Sequence, residues 1–414
     1  MNNETKKGKL VPELRFPGFD GEWEVKRIED SFQERVEKNR GDLPLLSLGE
    51  EGLMLQSESQ RKDNSNSDKS KYLRVAIGDI AYNTMRMWQG RCVHCDIEGI
   101  VSPAYTVCKP NEGVDSLFHY YLFKTNQMIA IFHQHSQGLV NDTLNLKYEA
   151  FSKIKYLLPS LPEQQKIAEC LSSVDDLIRA EADRLQALKD HKKGLMQQLF
   201  PQEGETTPKL RFPGFEGEWE VKKLGDVFTR LMEKNTENNK NVLTISAQFG
   251  LINQLEFFKK SVAASDVTGY YLLHRGDFAY NKSSSQGKPV GAIKPLKLYD
   301  KGVVSTLYIC FRCKDSKAVD YWEQYFDAGI LDKEIMSIAQ EGARNHGLLN
   351  VPTNDFFGLP VLKPTPSEQQ KIASCLSSLD EGIAAQQRKV EALKEHKKGL
   401  MQKLFPQFAM SNEQ

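Results

Sequence analysis

The sequence predicts an α+β protein laid out as a tandem pseudo-twofold repeat: two unlike α+β bodies separated by two long antiparallel coiled-coil helices. Three observations carry this. The stretch Pro162–Leu199 recurs as Pro366–Leu404. A lead-in, LRFPGFDGEWEVKRIED at Leu14–Asp30, recurs as LRFPGFEGEWEVKKLGD at Leu210–Asp226. The stretches between these copies differ strongly, yet keep the same landmarks in the same order. Self-similarity of this kind is the strongest organisational signal a chain can carry.

The helices come first because the rest hangs on them. In the first copy the apolar residues are Ile167, Leu171, Val174, Ile178, Leu185, Leu188, Leu195 and Leu199. Their spacing of three, four or seven is the seam of a coiled coil. Glu181 and Lys192 interrupt it. The second copy carries Ile372, Leu376, Leu379, Ile383, Val390, Leu393, Leu400 and Leu404, interrupted by Gln386 and Lys397, each 205 positions on. Ser160-Leu-Pro-Glu163 and Thr365-Pro-Ser-Glu368 fit a capping box, and proline in a first turn loses no hydrogen bond. Phe200-Pro201 and Phe405-Pro406 stop the helices. Each would run roughly 55 Å at 1.5 Å per residue. One such stripe needs a partner in water, and duplication within one chain favours pairing the copies; a bundle core or a dimerisation coil is the plainer alternative.

The lead-ins are turns, marked by Pro17-Gly18 and Asp20-Gly21, with Phe16, Phe19 and Trp23 as anchors. The bodies, 31–159 and 227–364, share Gly78-Asp79-Ile80-Ala81-Tyr82-Asn83 with Gly276-Asp277-Phe278-Ala279-Tyr280-Asn281. Each then has a β-rich run, an aromatic amphipathic helix (115–132 and 318–340), a polar glycine-containing loop (136–145 and 340–350) and a short strand into the long helix. Residues 56–70 read as a solvated loop. The expected division is 1–30 tail and lead-in, 31–159 first body, 160–201 helix, 202–226 linker and lead-in, 227–364 second body, 365–406 helix and 407–414 tail.

Composition sets the class. Hydrophobic content of 40% and charged content of 27% over 414 residues suit two or three soluble domains. No apolar run nears the ~20 residues a membrane span needs, and the polar N-terminus has no signal core. Seven cysteines, spread thinly, suit free thiols in a cytoplasm. Net charge is zero. A tight, solitary nucleic-acid binder is usually basic, so any DNA contact here is local or shared with partners.

Motifs for chemistry are weak or missing. Cys92-Val-His-Cys95 and Cys310-Phe-Arg-Cys313 have half-zinc-site spacing but sit in strand-like sequence at unmatched places, so no metal is expected. His133-x-His135 reads as a helix end. Asp20, Glu24 and Lys26 have a nuclease flavour, but the acids are too close in sequence for a strand-built metal site. Gln286-Gly-Lys288 lacks the rest of a phosphate loop, and no Gly-x-Gly-x-x-Gly or Gly-x-Ser-x-Gly occurs. No catalytic residue is assigned. The best recognition candidates are the loops after the Ala-Tyr-Asn strands: Asn83, Arg86, Gln89 and Arg91 in the first body, Asn281, Lys282, Gln286 and Lys288 in the second. They combine Arg/Lys for guanine edges or phosphates with Asn/Gln for adenine. The later loops add Asn141, Asn145, Arg344, Asn345 and His346.

Taken together, the paired LRFPGFxGEWE lead-ins, the paired EQQKIAxCLSSxD helices ending HKKGLMQxLFPQ and the two divergent bodies resemble the specificity subunit of type I restriction–modification enzymes. The resemblance implies two target-recognition domains, each reading half of a split, asymmetric double-stranded DNA site. It implies that the helices measure the unread spacer and dock two modification (methyltransferase) subunits, which restriction (translocase/nuclease) subunits join. S-adenosylmethionine, ATP and Mg2+ would belong to those partners, with no cofactor on this chain. Two other readings stay open to the residues alone. A single-chain DNA-modifying enzyme is opposed by the missing motifs. A coiled-coil adaptor without DNA contact is opposed by the divergent polar loops.

Overall fold

The computed structural model describes residues 10–49, 52–59, 65–140, 143–246, 250–258, 266–283, 288–339 and 349–407. The chain forms two compact units, residues 1–182 with 388–414 and residues 183–387. Each holds one body and a share of both long helices.

In the first unit the main sheet is antiparallel, in the order Phe32–Glu34, Tyr105–Pro110, Ile80–Asn83, Cys92–His94. Two short ladders stand beside it, Leu73–Val75 with Gly99–Val101 and Leu46–Leu48 with Leu53–Leu55. Successive strand residues face opposite ways, and the shared landmark obeys this. Ile80 and Tyr82 join a large aromatic core with Trp23, Phe32, Phe118, Phe123 and Phe151. Ala81 faces a smaller core of Leu46, Val75, Val93, Val101 and Val107.

The second unit repeats the plan: Phe228–Leu231, Ile309–Cys313, Phe278–Asn281, Ala292–Pro295. Phe278 and Tyr280 face the large core, Ala279 the small one. This alternation also disposes of the cysteine pairs. Cys92 lies in the large core and Cys95 in the small one, and Cys313 and Cys310 divide the same way. Thiols on opposite faces of a sheet cannot hold one ion. Burial pushes the Cys92 and Cys313 thiols up to about 11, so these are apolar fillers.

The long helices run Leu161–Leu199 and Pro366–Leu404. Within the first unit, Ile167, Leu171, Val390 and Leu404 are buried, and Val174, Ile178, Leu393 and Leu400 are half-buried. Lys397 Nζ meets both Asp175 oxygens at 2.6 and 2.7 Å, and Lys389 meets Glu181 at 2.5 Å. One number rises as the other falls, so the segments are antiparallel. In the second unit Ile372 and Leu376 are buried and Leu185, Leu188, Leu195, Leu379 and Ile383 half-buried. There Lys192 meets Asp380 at 2.6 and 2.7 Å. The seam lysines are thus answered by carboxylates at matched positions. Tyr121 donates to Asp175 and Gln324 Nε2 to Asp380, both at 2.8 Å, tying each body to its helices.

Two expectations are corrected. The capping boxes form only in part. The Thr365 hydroxyl accepts the Glu368 amide at 3.4 Å, but the carboxylates turn elsewhere. Glu163 takes Arg15 through two 2.8 Å bonds, and Glu368 takes Arg211 the same way. A carboxylate only 1–2% exposed gains more from a guanidinium fork than from a lone backbone donor. The second correction concerns 115–132, which is two helices, Ser116–Phe123 and Asn126–His135. Thr125 caps the later one, accepting the Met128 amide at 3.3 Å. The matching helix in the second body breaks near Gly329, at φ +74°.

Candidate nucleic-acid interface

The first candidate loop joins the strands Ile80–Asn83 and Cys92–His94. Asn83 closes its start, since its side-chain oxygen accepts the Met85 amide at 3.0 Å. Its own amide reaches the Arg91 carbonyl at 3.0 Å. Met87 is fully buried and pins the middle. Trp88 donates to the Met85 carbonyl at 3.0 Å and lies edge-on to His133, 5.7 Å between centroids. A loop so held presents Arg86, Gln89 and Arg91 to solvent. All four predicted residues, Asn83, Arg86, Gln89 and Arg91, line one recess of about 470 Å³. Lys124 and Tyr105 line it too, over a floor that includes Val93 and Ile129. Three cations and no carboxylate are among its described lining residues. Lys124 lies 4.4 Å above the Tyr120 ring, and its field pulls the Cys92 thiol down against the upward push of burial.

Asn145 lies apart from the recess lining and clamps its own loop, donating to the Gln137 and Thr143 carbonyls at 3.0 and 3.3 Å. In the second body Asn281 repeats the turn, accepting the Ser283 amide at 3.1 Å. Lys282 is half-buried, and desolvation lowers its ammonium pKa. Lys288 donates to the Asp327 carbonyl at 3.4 Å. Asn141, Gln286, Arg344, Asn345 and His346 lie outside the described residues.

The glycines closing the two loops are matched and constrained. Gly90 has φ +73°, and a Cβ there would lie 2.9 Å from Ile129 Cδ1. Gly291 has φ +87°, and its Cβ would collide with the Asn281 carbonyl oxygen. Left-handed backbone alone costs a side chain about 1–2 kcal/mol. Gly90→Ala should lose about that much, because Ile129 can turn aside. Gly291→Ala meets backbone and should lose clearly more, as read from denaturant midpoints of the two variants.

The paired Gly-Asp signature has a structural meaning that sequence reasoning missed. Asp79 is 1% exposed and takes Arg35 at 2.6 and 3.1 Å and the Ala76 amide at 2.8 Å. Asp277 takes Arg312 at 2.6 and 2.8 Å and the His274 amide at 2.7 Å. The only sequence signal was the repetition itself. Glu24 and Lys26, which had a nuclease flavour, form an exposed ion pair at 2.8 Å. No group of metal-ligating residues occurs among the described residues, and no described helix is long and apolar enough to cross a membrane.

Two bodies on one strand frame, each with its own polar loop and its own share of two long helices, define a duplicated recognition scaffold. The family model for the type I restriction modification DNA specificity domain matches residues 21–190 and again 216–395. The chain belongs to that family: it is the specificity subunit of a type I restriction–modification system, with two recognition domains. It is 26% identical to the type I restriction enzyme MjaVIII specificity subunit of Methanocaldococcus jannaschii, over 93% of this chain and 92% of that one. It is 32% identical to the MjaIX specificity subunit of the same organism over 28% of the chain. Among solved structures, the type I S subunit from M. genitalium shares the fold at TM-score 0.56 and 13% identity, covering 96% and 100% of the two chains. A chain from a structure concerned with assembly and conformational transition of the type I R-M system gives 0.54 and 15%, covering 95% and 99%.

Proposed function

We propose that each recognition domain reads one half of a bipartite, asymmetric site in double-stranded DNA, through the loops after its Ala-Tyr-Asn strand. The observation that carries this is the contrast between constant frame and changed loop. The strand order is the same in both bodies, while Asn83, Arg86, Gln89 and Arg91 give way to Asn281, Lys282 and Lys288. Asn141, Gln286, Arg344, Asn345 and His346 belong to the same proposal on sequence grounds. Unlike loops on like frames suit unlike half-sites. Neutral net charge suits a subunit whose partners complete the grip on DNA.

In this reading the chain is non-catalytic and works in the cytoplasm. Two modification subunits dock on the helix pair and the repeated flanks, and restriction subunits join them. S-adenosylmethionine, ATP and Mg2+ act on those partners. The helices measure the unread spacer, as dimer geometry sets half-site spacing in simpler readers. Inserting four residues, about one helical turn, within 175–190 should lengthen the tolerated spacer and leave both half-sites unchanged. Methylation mapping reads the result, and an altered half-site with an unaltered spacer counts against the ruler.

A further inference from the structure

Matched positions in the two bodies differ in charge beside the first candidate loop. In the sheet registers Ile80 faces His94 and Phe278 faces Pro295. Arg91 therefore corresponds to Ala292, and Val93 to Lys294. Tyr121 and Gln324 both donate to matched carboxylates on the long helices, so three residues on Lys124 corresponds to Asp327. In the second body this place is neutralised internally. Lys294 is 7% exposed and meets Asp327 at 2.6 Å, with Glu323 at 3.5 Å. In the first body the same place holds Val93 and Lys124 at the recess. Among the described residues, no carboxylate pairs with Lys124 and none lines the recess.

We propose that this recess holds a backbone phosphate of the DNA half-site bound by the first domain, with Lys124 as the anchoring cation and Arg86 at its rim. The proposal rests on the reading of that domain as a DNA reader. The charged residues among the described lining are Arg86, Arg91 and Lys124, and cations gathered over a low-dielectric floor concentrate their field on an anion. Val93 and Ile129 supply that floor. A lysine ammonium is a compact point charge that suits a phosphate without demanding a particular base. The second domain has no counterpart at the matched place, because Asp327 already occupies it as the internal anion. Lys124 thus sets register and affinity, while the exposed loop above it is left to read sequence.

The test uses the full chain assembled with its partner subunits, as wild type, Lys124→Gln and Lys124→Arg, on a duplex carrying the mapped site. Losing one phosphate contact reduces the slope of log K against log salt by about 0.9, so the deficit of Lys124→Gln should shrink about 3.5-fold between 50 and 200 mM salt. Lys124→Arg should restore the slope, and both variants should keep the wild-type half-site preference and melting temperature. Duplexes bearing one neutral methylphosphonate linkage, scanned along the first half-site, should include one position where wild type and Lys124→Gln bind alike. Unchanged slopes, or no such position, overturn the proposal. A changed base preference at unchanged slope also overturns it, because Lys124 would then be reading a base. Failure of the underlying reading looks different: wild type would bind equally well when the first half-site is scrambled, and the recess would fall with it.

Discussion

Arg15→Met should destabilise the first unit by about 3–5 kcal/mol, and Arg211→Met the second by a similar amount, the cost of leaving a buried carboxylate unpaired. The Glu163 side chain is 2% exposed and Glu368 1%. Arg15 also donates to the Gly21 and Asp20 carbonyls, at 2.6 and 3.0 Å, so it fastens the Pro-Gly turn of the lead-in to the start of the long helix. Trp23 Nε1 adds a 3.4 Å bond to Glu163, and the indole lies edge-on to Phe118 and Phe405. Arg211 repeats the arrangement, reaching the Gly217 carbonyl at 2.5 Å. Removing both charges in Arg15→Met with Glu163→Met should cost less than removing the arginine alone, since no orphaned carboxylate remains. Denaturant midpoints decide: a double variant no better than the single contradicts this account of the pair.

Acid should loosen the first unit through His119. The ring is fully buried among Phe32, Phe118, Phe123 and Tyr156. Nδ1–H donates to the Asp115 carbonyl at 2.7 Å, so Nε2 accepts from the Tyr156 hydroxyl at 2.9 Å, which in turn meets Ser31. Burial lowers the imidazole from 6.5 to about 4. Below pH 6.5 the unfolded chain takes up a proton that the folded ring refuses. The stabilisation is therefore complete above pH 6.5 and is lost as pH falls towards 4, by about 3 kcal/mol in all. His94 is also lowered by burial and acts in the same direction. The informative comparison is thus wild type against His119→Phe, which should lose most of its dependence on pH in that window. Equal slopes for the two proteins would remove His119 as the cause.

What the chain shows in one dimension depends on how local each interaction is. The helix seams were legible because coiled-coil spacing repeats every seven residues, and the seam positions are buried or half-buried in each unit. The lysines interrupting that pattern looked like defects. Their carboxylates, Asp380 and Asp175, are 188 and 222 residues away. Glu163 and Glu368 show the same blindness. A Ser/Thr-x-x-Glu start looks identical whether the acid turns back on its own helix or outward to an arginine 148 residues distant. The strands behind the candidate loops were legible from the repeated Gly-Asp-x-Ala-Tyr-Asn, but the partner of the aspartate was not. It is Arg35, just past the edge strand Phe32–Glu34, in the first body and Arg312, within the inner strand Ile309–Cys313, in the second. Lys124 was hidden inside what reads as a single amphipathic helix, and only the break at Thr125 gives it a distinct place at the recess.

In the proposed function, two bodies in one chain read two separate half-sites. Exchanging residues 31–159 for the corresponding segment of another specificity subunit, then mapping methylated sites in a host carrying the hybrid, tests it most directly. One half of the methylated motif should change while the other half and the spacer stay as they were. A motif altered in both halves, or in neither, would contradict it.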